Sequence, residues 1–424
     1  MEKLACLLAD AARRRGMIFH PGRDRIYKWE DRRATPSDVY QMLLADVLGV
    51  DQADVQELGW PWWLPAFDAP HSFSARGNRA ALTEVLVTQP HRDRRTFLAL
   101  TTGALVSVAS DWVAIEPERL AGALHGRRVD PHLLAWLETR TGELRALTNT
   151  AAPECTELVQ VLLKTTIKII DGAVFDEPTG RRLHQVAAAA AQCAGWLHFD
   201  QHEYAAAQRH WLAALHAAHG AADRDLGAGI LSDLAYSTTW LDHPDTAVSI
   251  LEHARTRTHS PAARSLLDLR RARALAALGD RHGASCALLS AERELDRAQP
   301  GAAPAWVAWM CPADLQVDAG RCWLDLNEPA RADRSLSEGL GLLDPARART
   351  RSLALVYRAE SALARRDAPA AAADTQAALD TALTTTAARC IDQARTAMGK
   401  LAQHRGHPAV AELFAYADSC ASRR

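Results

Sequence analysis

AQRHWLAA, Ala207 to Ala214, sets a small residue, a large apolar residue four positions on and a second small residue seven positions on. The pattern returns as Ala247, Leu251, Ala254, then Ala284, Leu288, Ala291, then Ala332, Leu336, Gly339, and in degenerate form as Ala371, Thr375, Ala378. Successive first alanines lie 40, 37, 48 and 39 residues apart. Positions three, four and seven apart share one face of a helix. Small residues on that face let two helices approach closely, and the larger side chain fills the groove between them. A period of this length marks a stack of helical hairpins. Leu183 to Ala382 therefore reads as five two-helix units. Such stacks bind other molecules far more often than they catalyse reactions.

Gly195 stands twelve residues before Ala207, and Gly320 twelve before Ala332. Turn-like stretches sit inside each unit: FDQHEY (Phe199 to Tyr204), LDHPD (Leu241 to Asp245), LGDRHG (Leu278 to Gly283), LNEPA (Leu326 to Ala330) and RRDAPA (Arg365 to Ala370). On these residues the repeat resembles the tetratricopeptide family, whose first helix carries a glycine at that place. The period exceeds the roughly 34 residues of that family, and its unit-closing prolines are mostly missing, apart from Pro345. The resemblance implies a right-handed superhelix of hairpins whose first helices line a concave inner face. In this chain those helices carry Trp196, Tyr236, Trp240 and Arg271. The 48-residue spacing adds an irregular insertion, PGAAPAWVAWMCPADL (Pro300 to Leu315), with Trp306, Trp309 and Met310. Aromatics mixed with arginine suit a peptide or a small amphipathic molecule. Trp196, Tyr236, Trp240, Arg271, Trp306 and Trp309 are the candidate ligand or partner groove.

The chain has 424 residues, 48% hydrophobic and 24% charged, enough for two or three domains. Its net charge of −2 gives no bulk attraction to polyanions. Alanine and arginine are abundant and lysine scarce, as in proteins of high-GC bacteria. Eight cysteines are scattered with no Cys-x-x-Cys pair, so reduced thiols in a cytoplasmic protein are expected. RRTFLALTTGALVSVAS (Arg94 to Ser110) has the look of a twin-arginine export signal. It begins far from the N-terminus, and its apolar run is shorter than the roughly 20 residues that cross a bilayer. It reads as a buried helix, and no membrane association is expected.

The N-terminal stretch RIYKWEDRRATPSDVYQMLLADVLGV runs from Arg25 to Val50. Ile26, Lys28, Trp29, Glu30, the basic turn Arg32-Arg33, Pro36 and the closing Leu43-Leu44-Ala45 through Leu48-Gly49-Val50 resemble the Cro/repressor-like (XRE-type) helix-turn-helix family from its recognition helix onward. Ile26, Trp29 and Leu43 would form a small core. Arg23, Asp24, Arg25, Tyr27, Lys28, Arg32 and Arg33 would face DNA, arginine and lysine meeting guanine edges and phosphates. Residues 1–35 hold nine Lys or Arg against five Asp or Glu, a net +4, which leaves about −6 for the rest. The family places a second helix and a turn between AARRRGM (Ala11 to Met17) and Arg25. Here only IFHPGRD (Ile18 to Asp24) fills that gap. Either the first helices are rearranged or the second, which braces the recognition helix over the groove, is lost.

Enzyme signatures are absent: no G-x-x-x-x-G-K-[ST], no G-x-G-x-x-G and no G-x-S-x-G. His198 and His202 stand four apart beside Glu203, with His210 beyond, but they straddle a predicted turn and read as turn residues rather than metal ligands. His216 and His219 read as exposed. Asp225, Asp233 and Glu203 are possible groove residues, but no carboxylate pair announces acid–base work. No catalytic residue, metal or cofactor is assigned.

The expected architecture is all-α. Residues 1–66 form a truncated helix-turn-helix-like head, 67–128 a linker with an apolar helix, and 129–424 the tetratricopeptide-like domain, capped by Thr384 to Ser419. The expected function is transcription regulation, with repeats that sense a ligand or mediate homodimerisation. The alternative is a tetratricopeptide-type scaffold that binds a protein partner and no DNA.

Overall fold

The computed structural model describes residues 2–17, 29, 35–48, 55, 71, 73–87, 127–129, 131–148, 154–299, 301–385 and 388–421. The described part is all-helical apart from one two-residue parallel bridge, in which Arg127–Arg128 (β1) pairs with Ala173–Val174 (β2). Three helices come first: α1 (Glu2–Arg14), α2 (Asp38–Leu48) and α3 (Ala75–Val87). Then follow α4 (Pro131–Thr148), α5 (Glu154–Gly172), α6 (Glu177–Asp200), α7 (Tyr204–Gly220), α8 (Arg224–Trp240), α9 (Pro244–Arg255), α10 (Pro261–Ala277) and α11 (Arg281–Arg297). The last are α12 (Pro312–Asp325), α13 (Pro329–Leu342), α14 (Ala348–Ala364), α15 (Ala368–Thr385), α16 (Ala388–Leu401) and α17 (Pro408–Ala421).

Neighbours in sequence pack as antiparallel hairpins, α6 with α7, α8 with α9, α10 with α11, α12 with α13 and α14 with α15. First helices also touch the next first helix, as α8 does α10 and α14 does α16. Their starts are written locally. Asp176, Asp223 and Asp280 each accept the backbone N–H three residues on, at 2.9 Å, and prolines open α9, α10, α12 and α13.

The repeat register is visible in the backbone. His202, Asp242, Gly279, Asn327 and Arg366 all have positive φ, and each stands five residues before the first alanine of its unit. The next N–H in each turn reaches back to a carbonyl of the helix before: Glu203 to His198, His243 to Thr238, Asp280 to Leu275, Glu328 to Trp323 and Asp367 to Ala362. This is one left-handed cap used five times. It sets the same reversal in every hairpin.

Ala207, Trp211, Ala214, Ala247, Leu251, Ala254, Ala284, Ala291, Ala332, Leu336, Ala371, Thr375 and Ala378 are all buried in the hairpin crossings. The two glycines explain themselves. A Cβ at Gly195 would run into the Trp211 indole, and one at Gly320 into Leu336. Each glycine on a first helix makes room for the large residue on its partner.

His216 and His219 were expected to be exposed; they are buried. The reason is α3, part of the expected linker, which packs across α7. Phe73 stacks on His216 with ring centroids 4.3 Å apart, and Asn78 Oδ1 lies 3.0 Å from His216 Nδ1. At the N-terminus, Leu8, Ala11, Ala12, Trp29, Tyr40, Leu43, Leu44 and Ala45 form a core of their own. Trp29 meets Tyr40 edge-on at 4.6 Å. Trp29 and Leu43 thus sit in the small core expected of them, while Ile26 and the apolar stretch 94–110 lie outside the described residues. No helix among the described residues is long and apolar enough to cross a membrane.

Candidate functional site

The first helices line a half-open cavity of ≈ 210 Å³. α6, α8, α10, α12, α14 and the start of α16 all contribute to its wall, together with Arg145 of α4 and the insertion before α12. The second helices of the hairpins contribute nothing. A stack of hairpins that rotate slightly on one another places its first helices inside, and the cavity lies where that turn comes round on itself.

The closure is electrostatic. Asp200, the last residue of α6, is 3% exposed. Its Oδ2 accepts from Arg349 Nη1 and its Oδ1 from Arg389 Nε, both at 2.8 Å. Those arginines lie 149 and 189 residues further along the chain. Arg389 also donates to the Tyr236 hydroxyl at 3.2 Å, and its guanidinium stands 5.1 Å from the Phe199 ring and 5.2 Å from Trp240. His202 and Asp392, 3.0 Å apart, add a more exposed link between the same two ends.

Three further ion pairs lie around the wall, two of them sharing Asp318. Arg347 holds Asp314 through two bonds of 2.8 and 2.6 Å. Asp318 receives Arg270 at 3.3 Å and Arg273 at 2.6 Å. Arg270 also stacks 4.2 Å over the Tyr236 ring. On the opposite wall Gln192 donates to Asp233 at 2.7 Å and accepts from Arg145 at 3.3 Å. Burial pushes the Asp233 carboxyl up to about 6, against the opposing pull of the Gln192 bond and the Arg270 charge.

Of the six groove residues expected from the sequence, Trp196, Tyr236, Trp306 and Trp309 line this cavity together. Trp306 lies against Gly229 of α8, where an added Cβ would come within 2.6 Å of the indole, and Trp309 donates to the Trp306 carbonyl at 2.8 Å. Trp240 and Arg271 do not line it. Trp240 ends α8 one turn beyond Tyr236 and donates to the Tyr204 hydroxyl at 3.3 Å. Arg271 points to α9, where Glu252 lies 4.0 Å away. Successive helical residues are turned by about 100°, so Arg270 takes the inward place instead. Of the possible groove residues Asp233 is in the wall, whereas Asp225 is not and Glu203 bonds His198 instead. Asp200, Asp314, Asp318, Arg347, Arg349, Tyr357 and Arg389 were not singled out. Their signal is the inward stripe of each first helix, such as Asp314, Val317, Asp318 or Arg349, Leu353, Tyr357 at helical spacing.

The expected DNA-facing residues Arg23, Asp24, Arg25, Tyr27, Lys28, Arg32 and Arg33 lie outside the described residues. The histidines of the first turn do not converge. His198 bonds Glu203 and stacks on His210 with centroids 4.6 Å apart, while His202 turns away to Tyr204 and Asp392. Among the described residues no group of three metal-ligating side chains forms.

Those buried histidines give the fold a pH dependence. Burial, with the neighbouring His198 adding to it, holds His210 down to about 3; burial with His71 and His219 does the same for His216. Below about 6.5 the unfolded chain takes up protons that these two rings refuse, so stability falls as pH drops through that range. Asp233 acts in the opposite sense, because it takes up its proton in the fold first. Two rings outweigh one carboxyl. Melts from pH 7 to pH 5 should show a loss of about 1–2 kcal/mol per histidine, partly offset by Asp233. His210→Gln should flatten that slope.

No protein-family model matches this chain, and no curated protein matches it.

Proposed function

We propose that this chain is a cytoplasmic, DNA-binding transcriptional regulator of the XRE type whose tetratricopeptide-like body senses a small ligand. The observation that carries the reading is the cavity, lined by tryptophan, tyrosine and arginine from the first helices of one superhelical turn and from the insertion before α12. Four residues chosen as ligand-facing from the sequence meet there. The head is supported by its own apolar core and by the net +4 of residues 1–35. Arg23, Arg25 and Lys28 meet the duplex in this reading. A homodimer would place two heads on two half-sites about 34 Å apart, and a ligand that tightens or loosens the turn would change their spacing.

The test uses the full chain and a duplex that it selects from genomic fragments. Arg25→Ala should cost about 1–3 kcal/mol on that duplex if it reads a base. Lys28→Ala should reduce the slope of log affinity against log salt by about 0.9 if it meets a phosphate. Neither change altering affinity or slope would remove the head from the interface.

A second reading, a scaffold that binds a protein and no DNA, draws on a different surface. Leu133 and Trp136 of α4 and Leu158 and Val161 of α5 are exposed, an unusual amount of apolar surface for a polar face. A chain that captures a partner through α4 and α5 while ignoring DNA would follow that reading.

A further inference from the structure

Five arginines, Arg145, Arg270, Arg347, Arg349 and Arg389, line the cavity against four aspartates, Asp200, Asp233, Asp314 and Asp318. Arg273, bound to Asp318, stands directly behind the wall and brings the positive groups to six. Among the described residues the wall holds one guanidinium more than it holds carboxylates, and Arg273 adds another against Asp318 from behind. The excess is placed: Asp200 answers two guanidiniums, Arg349 and Arg389, and Asp318 answers two, Arg270 and Arg273. Tyr236 joins the two places, its ring under Arg270 and its hydroxyl bonded to Arg389.

The unpaired hydrogen-bonding groups of the wall point the same way. Trp306 Nε1 and Arg270 Nε are buried with no partner, as is Arg273 Nε behind them. Trp306 is 7% and Arg270 8% exposed. All three are donors. A buried donor without an acceptor carries its full desolvation cost, and an uncompensated buried charge costs more. Both are relieved by one kind of guest, which brings acceptors and negative charge. The rest of the wall is mainly apolar, with five aromatic rings, Trp196, Tyr236, Trp306, Trp309 and Tyr357, beside Leu266, Leu269, Val317 and Leu353. The cavity offers ≈ 210 Å³ and is open on one side.

We propose that the cavity binds a small acid built on a flat ring, its carboxylate or phosphate oxygens taken by the arginines at the two ends of Tyr236 and by the Trp306 indole N–H. This rests on the reading of the cavity as the sensor site and adds the chemistry of what is sensed. A neutral ring, even one with a carbonyl acceptor such as benzamide, would leave the charge as it is.

Titration of the full chain by tryptophan fluorescence and thermal melting tests it, with phthalate, phenyl phosphate and benzamide as probes. Phthalate or phenyl phosphate should quench fluorescence and raise the melting temperature at millimolar concentration, while benzamide should do neither. Which of the two acids binds distinguishes carboxylate from phosphate recognition. Trp306→Phe keeps a ring against Gly229 and removes the donor; it should weaken the acid about ten-fold while the free protein melts unchanged. Arg270→Gln should weaken it further. Binding of benzamide as tight as that of the acids, no binding of either acid, or acid binding untouched by both substitutions would overturn the proposal. DNA recognition is measured apart from this. Acid binding without DNA recognition overturns the regulator reading alone, and DNA recognition without acid binding overturns this inference alone.

Discussion

Asp200→Ala should destabilise the chain by about 3–5 kcal/mol, the cost of removing one partner from a buried ion pair. Among the described residues Asp200 pairs with both Arg349 and Arg389, and the Arg389 side chain is 6% exposed. After the substitution Arg389 keeps the Tyr236 hydroxyl and two aromatic faces but no counter-charge. Asp200→Asn should do nearly the same harm, because an amide cannot answer two guanidiniums. The damage should also be placed. Hydrogen exchange should rise first in α16 and at the start of α14, where the turn closes, and last in α10 and α11, in the middle of the stack. Cooperative loss everywhere at once would mean that the closure is not a separate element of stability. Exposed pairs are the control. Arg140 and Glu143 are both about half exposed, and Glu143→Ala should change stability by less than about 1 kcal/mol.

Trp211→Ala should cost about 3–5 kcal/mol, and Trp211→Leu clearly less. Trp211 is fully buried, fills the space opened by Gly195 and donates from its indole to the Gln192 carbonyl at 3.2 Å. The equivalent position holds Leu251, Leu288 and Leu336 in the next three units. In the fourth unit Leu336 fills the space left by Gly320, so leucine against glycine is a packing this fold already uses. Thermal melts of the two variants decide it. Equal losses would mean that the units are alike in spacing only, with no shared packing. Ala332→Leu belongs to the same test from the other side. It adds bulk where the chain allows none and should cost about 1–3 kcal/mol.

The hairpin stack was legible because close helix packing makes a demand on single positions. Ala207, Ala247, Ala284 and Ala332 each sit where two backbones approach, so the demand recurs with the period of the structure. The caps were harder to see. Only one of the five left-handed turn residues is glycine, Gly279, while His202, Asp242, Asn327 and Arg366 hold the same conformation. A search for glycine misses four of five. The cavity was half legible. Aromatic residue type led to Trp196, Tyr236, Trp306 and Trp309, but helical phase excluded Arg271 in favour of Arg270. The Asp200, Arg349 and Arg389 cluster was out of reach. Its members meet only after the rotations of five units have accumulated, and nothing local in α14 or α16 announces a partner at the end of α6. The buried His216 was missed for a related reason, since its neighbour Phe73 comes from a segment more than a hundred residues away.

The most direct test of the account is a selection of genomic fragments by the full chain, performed at several salt concentrations. The regulator reading predicts a small set of enriched sites that share one sequence element. It also predicts affinities above those for random DNA by a factor of about 10³ or more at physiological salt. Uniform recovery of fragments, with affinity for the best site equal to that for random DNA, would contradict it and leave a helical-repeat protein that binds its small acid for some other purpose.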